Sequence, residues 1–191
     1  MGSAHGEIRE ITVPPPPAQG RPIDLVFRSI RERTADLALE LAVAAIRPTR
    51  AFVIEDVKPF ARAVQRMLEI DHERASHVVH MDADCLILED LRPFLDQNEL
   101  PYVDFYVRDR FRGRIHCGVH VTRIDVVRAM RATAIPDDDL AFVLRPESRL
   151  RNLSLADLRA EKQLKGFHIL HDYFQRREDI FAKYALRELR K

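Results

Sequence analysis

Short apolar runs alternate along the chain with longer stretches in which apolar side chains recur every three or four positions. Residues 23–27, 51–54 and 77–81 are short β-type runs, mostly apolar, of the length of buried strands. Between them, residues 32–46 and 58–70 carry one apolar face at helical spacing; Pro48 closes the first and Pro59 suits the first turn of the second. Strand and helix thus alternate through the first eighty or so residues, a pattern that predicts an α/β sheet, mostly parallel, with helices packed on it. Further on, the spacing predicts a helical turn at 91–95, strands at 102–107 and 115–122, a helix at 124–132, a helix at 154–165, a strand at 166–170 and a charged amphipathic helix from Asp172 onward. Residues 134–151 give no clear period. Residues 1–20, with the run Pro14-Pro15-Pro16-Pro17, read as a flexible proline-rich arm, and residues 21–191 as one domain.

Composition narrows the function. The 191 residues carry 31 basic and 30 acidic side chains, a net charge of +1, so there is no bulk charge to favour nucleic acid as a partner. No apolar run approaches the roughly 20 residues of a membrane span, and the N-terminus lacks the pattern of a secretory signal, so a cytoplasmic protein is expected. Two cysteines, Cys85 and Cys117, do not make a disulfide framework.

The chemistry concentrates at the end of the third strand. Asp82 and Asp84, separated by Ala83, lie between the apolar runs Val78–Met81 and Cys85–Leu88. Residues i and i+2 of a strand point the same way, so both carboxylates are expected to face one point. Crowded carboxylates repel unless a cation lies between them, and oxygen ligands suit Mg²⁺ or Mn²⁺. A solvated acidic loop is the other reading of the same residues.

The segment His80-Met81-Asp82-Ala83-Asp84-Cys85-Leu86-Ile87-Leu88 resembles the DXD segment of GT-A glycosyltransferases. Ile115-His116-Cys117-Gly118-Val119-His120-Val121 is similar to the strand that lines the donor-sugar pocket in that group. Gly166-Phe167-His168-Ile169-Leu170-His171-Asp172 is similar to its late, histidine-bearing strand. The resemblance spans residues 23–175 in the expected order. It implies a GT-A-like domain that binds a nucleotide-diphosphate sugar with Mn²⁺ or Mg²⁺. Asp82, Asp84 and His171 would hold the metal, with His168 as the competitor to His171. Ser29, Arg31, Arg33, Glu55 and Asp56 would meet the nucleotide, and Cys117 and Gly118 the donor sugar. Asp104 and Asp109 are the candidate catalytic bases, by position.

Arg108, Arg110, Arg112 and Arg114 alternate and could receive an anionic acceptor, or could form a solvated loop. A zinc site from His116, Cys117, His120 and Cys85 lacks paired-ligand spacing. The function expected is transfer of a sugar from a nucleotide-diphosphate donor to an acceptor; a non-catalytic GT-A-like domain that binds nucleotide, sugar or protein is the alternative.

Overall fold

The computed structural model describes residues 7–112, 115–136 and 138–189, with the backbone alone at 115–117 and 187. Gly113, Arg114 and Asp137, and the side chains of His116 and Cys117, lie outside the described residues. Among the described residues, strands β1 (Ile8–Ile11), β2 (Ile23–Ser29), β3 (Arg50–Glu55), β4 (His77–Asp82), β5 (Cys85–Ile87), β6 (Tyr102–Asp109), β7 (Ile115–Arg123) and β8 (Lys162–His171) form a single sheet of order β1-β3-β2-β4-β7-β6-β8-β5. Strands β2, β3, β4, β6 and β8 point one way, and β1, β5 and β7 run against them. The expected mixed α/β class with a mostly parallel sheet is what the chain forms.

Helices cover both faces. On one face, α1 (Ala35–Ile46) and α3 (Arg92–Gln97) pack against a core that includes Leu25, Phe27, Val79, Met81, Phe105 and Ile169. On the other, α2 (Phe60–Glu69), α4 (Ile124–Ala132) and α6 (Pro146–Asp157) enclose Val26, Ile54, Val78 and Tyr102; α5 (Leu140–Leu144) leads into α6, and α7 (Arg177–Glu188) ends the described chain. Every residue of β2 is buried, because helices press on both its faces.

Several local expectations are corrected. Ile8–Ile11, read as part of the arm, pairs antiparallel with β3 as an edge strand. Residues 32–34 stay out of α1: Glu32 accepts from the Ser29 hydroxyl and the Ile30 N–H, both at 2.8 Å, and Arg31 takes a left-handed backbone with φ 66°. The helix predicted at 154–165 instead starts at Pro146, which suits a first turn, and stops at Asp157. The charged stretch that follows has good helix formers, yet parallel pairing of Lys162 onward with β6 makes it a strand. The last helix starts at Arg177 rather than Asp172, after left-handed residues at Asp172 (φ 62°) and Phe174 (φ 63°). Among the described residues no helix is long and apolar enough to cross a membrane.

Candidate metal and donor site

Three chain segments converge where the parallel strands end. Strand β4 delivers Asp82 as its last residue, and a two-residue turn carries Asp84 into β5. Strand β5 pairs with β8 so that Cys85 lies opposite His171. The Asp172 N–H donates to the Asp84 carbonyl at 3.0 Å and ties the two segments together just beyond the ladder.

The two carboxylates have different partners. Asp82 Oδ1 accepts from Arg28 Nε at 2.9 Å, while Asp84 accepts from Lys183 Nζ on α7. Both still line one small cavity of about 170 Å³ with Arg28, Ser29, Glu32 and Phe60. Arg28 is 6% exposed and also donates to Glu147 Oε1 at 2.8 Å; Glu147 in turn lies 3.1 Å from His120 Nε2. Burial alone would push the Arg28 pKa down, but Asp82 and Glu147 raise it, so the guanidinium is a fixed charge. Burial raises the Asp82 pKa more than Arg28 lowers it.

Around Asp84 the donors are oxygen and imidazole nitrogen. Lys183 Nζ lies 2.7 Å from Asp172 Oδ1, 3.3 Å from His171 Nε2, and in hydrogen-bond contact with Asp84 Oδ2. His171 Nε2 is 3.5 Å from Asp84 Oδ2, and its Nδ1 is 2.9 Å from Asp109 and 3.3 Å from Asp172. His171 and Asp172 are buried. Burial opposes ionisation of Asp84, yet His171 and Lys183 hold its carboxyl well below the usual carboxylate range. The Cys85 sulfur, 3.6 Å from Asp84, completes one possible ligand group with Asp84 and His171; burial pushes its thiol well up, so it stays protonated. Asp109, His171 and Asp172 form a second such group. Asp84, His171 and Asp172 all meet the Lys183 ammonium, and oxygen and imidazole donors of this kind suit a divalent cation.

The other expected site residues fall in different places. His168 is exposed in β8, where its carbonyl accepts from the Leu88 N–H at 2.9 Å; it stands apart from Asp84 because the ladder sets it opposite Leu88. Asp104 is buried beside Tyr102, whose hydroxyl donates to it at 2.8 Å, with Lys162 at 3.0 Å; both partners hold it on the face of the second core, away from Asp84. Asp109 is buried and accepts from the Phe111 and Arg112 N–H groups at 2.9 and 2.8 Å as well as contacting His171. Its oxygens meet these partners, including His171 Nδ1 at 2.9 Å. Ser29 caps the turn to Glu32; Arg31 lies 3.6 Å from Asp56 at the exposed end of β3, beside exposed Glu55. Arg33 is exposed and lines a separate groove with Arg110, Phe111 and Phe181. Gly118 is buried next to Val119, the ladder partner of Met81, which brings it near Asp82.

A larger cavity of about 590 Å³ adjoins Asp84. Ile30, Arg31, Glu32 and Phe60 line one side, and Asp172, Asp179 and Lys183 belong to the other. Phe60, 45% exposed, and Arg28, whose guanidinium lies 5.2 Å from that ring, escaped sequence reasoning, as did Asp172 and Lys183. For Arg28 the signal was an arginine directly after the apolar run Leu25-Val26-Phe27. Asp172 directly follows His171, and nothing in the sequence distinguishes Lys183 from other charges of α7.

No protein-family model and no curated protein matches the sequence. Solved structures do match the fold. A glycosyltransferase involved in glycosylation of the major capsid of PBCV-1 superposes with a TM-score of 0.50 at 10% identity, over 86% of this chain and 99% of that one. A 4-diphosphocytidyl-2C-methyl-D-erythritol synthase from Anaerococcus prevotii gives 0.53 at 9% identity, over 88% and 97%. A Mycobacterium tuberculosis protein in complex with manganese gives 0.50 at 14% identity, over 85% and 97%. The chain has the GT-A-like fold shared by glycosyltransferases and nucleotidyltransferases.

Proposed function

We propose that this chain is a metal-dependent transferase that uses a nucleotide-diphosphate sugar, with Asp84, His171 and Asp172 as the metal-holding set and Asp82 beside them. The observation that carries the reading is the convergence of those three donors on a single positive charge at the carboxyl end of the strands, where ligands bind in open α/β sheets. The shared fold with a manganese-bound protein supports it. Mn²⁺ or Mg²⁺, when bound, would neutralise charge on a leaving diphosphate.

The rest is done by side chains. The cavity bordered by Phe60, Ile30 and Arg31 offers a nucleotide an aromatic ring, an aliphatic wall and a cation. Ser29 and Glu32 hold the turn that presents Arg31. In this reading Glu55 and Asp56 would accept from ribose or base, and Cys117 and Gly118 would meet the donor sugar. Arg28 fixes Asp82 as a carboxylate acceptor close to the metal set. The acceptor is an anionic molecule in this reading, met by Arg110 and its neighbours.

Reaction class has two forms on this fold, sugar transfer and nucleotide transfer, and the resemblance of the three motif segments favours sugar transfer. A non-catalytic binding domain is the second reading. It is favoured by one observation: both Asp104 and Asp109, the expected bases, have their oxygens engaged inside the protein.

Calorimetric titration of UDP and GDP, each with and without Mn²⁺, on the wild type and Asp84→Ala tests the proposal. Binding of one nucleotide only with metal, lost in Asp84→Ala, is expected. Failure of both nucleotides under all conditions refutes it, and metal-linked binding without donor hydrolysis or transfer selects the non-catalytic reading.

A further inference from the structure

Helix α7 places a lysine ammonium at the point where the candidate metal donors meet. Lys183 Nζ contacts Asp84 Oδ2, Asp172 Oδ1 and His171 Nε2 at once. An ammonium and a divalent cation cannot share that volume, since both the space and the donor lone pairs are taken and the charges repel. We infer that Lys183 is a built-in stand-in for the divalent cation, so that α7 and a metal ion hold the centre in turn and never together.

The way α7 is attached supports exchange. No residue of α7 with a described side chain is buried, and Phe181, Leu186 and Leu189 just beyond its end are 77%, 53% and 83% exposed. A helix without a buried face gains little from the hydrophobic effect and sits at the low-stability end of its domain. Part of its attachment is made at the centre, by Lys183 as above and by the Tyr184 hydroxyl, which lies 3.2 Å from Asp172 and 3.3 Å from Asp109; the Tyr184 ring also meets Phe111 at 5.7 Å and the Arg112 guanidinium at 5.3 Å. A metal ion that claims Asp84, His171 and Asp172 displaces the Lys183 part of what keeps the helix in place.

Position gives the exchange a consequence. Ala182, Lys183 and Leu186 form part of the wall of the 590 Å³ cavity beside Asp84. Release of α7 opens that wall. Metal binding and access to the cavity are then one event, and the metal-free chain keeps its acidic centre neutralised and shut.

The inference rests on the metal reading of the site, and the test separates the two. Mn²⁺ is titrated calorimetrically into the full-length wild type, Lys183→Ala and Lys183→Gln; in parallel, the wild type is digested with trypsin with and without saturating Mn²⁺, and cleavage after Arg177, Lys183 and Arg187 is followed by mass spectrometry. Tighter Mn²⁺ binding by tenfold or more in both variants is expected, with several-fold faster cleavage within α7 when Mn²⁺ is bound to the wild type. Equal or weaker affinity in the variants, with unchanged cleavage, overturns the exchange and leaves the metal site standing. Absence of Mn²⁺ binding in all three proteins overturns both. If neither variant folds, the wild-type digestion decides alone, because slower or unchanged cleavage with Mn²⁺ bound contradicts the exchange.

Discussion

His171 Nδ1 lies 2.9 Å from Asp109 Oδ2, and that contact turns the opposite ring nitrogen, Nε2, toward Asp84. A histidine meant to ligate needs its other nitrogen held in this manner, which fixes both the ring plane and the tautomer. Asp109→Asn keeps the size of the side chain but weakens the hold. Mn²⁺ affinity should fall by about 10- to 100-fold, measured by electron paramagnetic resonance of free Mn²⁺, with little change in the far-UV circular dichroism. An unchanged affinity would remove Asp109 from its orienting role.

Arg28 joins Asp82 to Glu147 from inside the second core. Arg28→Met strips the compensating charge from Glu147, which is 14% exposed. Loss of one partner of a buried ion pair costs about 3 kcal/mol or more, so the urea midpoint should drop markedly. The double variant Arg28→Met/Glu147→Gln should recover part of the loss, since no uncompensated buried charge is left at 147. Additive losses would show that the two side chains act independently.

Buried histidines give the stability an acid limb. His80 stacks on His120 with ring centroids 4.8 Å apart, and neither of its ring nitrogens has a hydrogen-bond partner among the described residues. Burial, with help from His120, holds its pKa well below 6.5. Burial and the nearby Arg21 and Arg123 lower His77 to about 4. The unfolded chain binds these protons first, so both histidines favour the folded state above pH 6.5, and that advantage shrinks as the pH falls from 6.5 toward 4. Chemical denaturation at pH 7.5 and pH 5.0 should show a loss in the wild type that is visibly smaller in His80→Phe, where the stack is kept and the proton site removed. An equal loss in the two proteins would place the acid sensitivity elsewhere.

Deletion of residues 1–12 removes β1 and bares the edge of β3, whose Ala51, Phe52, Val53 and Ile54 are buried. An apolar strand left with unpaired backbone groups is a template for association. The truncated chain should melt about 3–6 °C lower and aggregate faster on heating, as read by light scattering. A melting point and solubility equal to those of the full chain would mean that the edge strand contributes nothing.

The sequence disclosed the parts of the fold whose burial is uniform. Strands β2, β3 and β4 read clearly because helices on both faces bury nearly every position and leave them mostly apolar. Strand β5, with three residues, is too short to show a period, and the first half of β8 is largely exposed, so its polar residues look helical. Asp84 and His171 were legible as neighbours of apolar strands. The different partners of Asp82 and Asp84, Arg28 and Lys183, were not, because they depend on how distant segments meet the turn after β4. Lys183 was invisible for a different reason: an amphipathic helix shows which face is polar, and not which of its charges meets another segment.

Lys183 meets Asp84 across 99 residues of chain, and His171 meets Asp109 across 62. During synthesis, then, Asp84 leaves the ribosome long before either partner exists. A nascent chain that has completed β7 carries an acidic turn with no imidazole beside it and no ammonium to balance it. Only once β8 and α7 have emerged does the centre acquire its geometry, so premature termination between residues 84 and 171 yields a product that retains the Asp82-Ala83-Asp84 sequence and lacks the site.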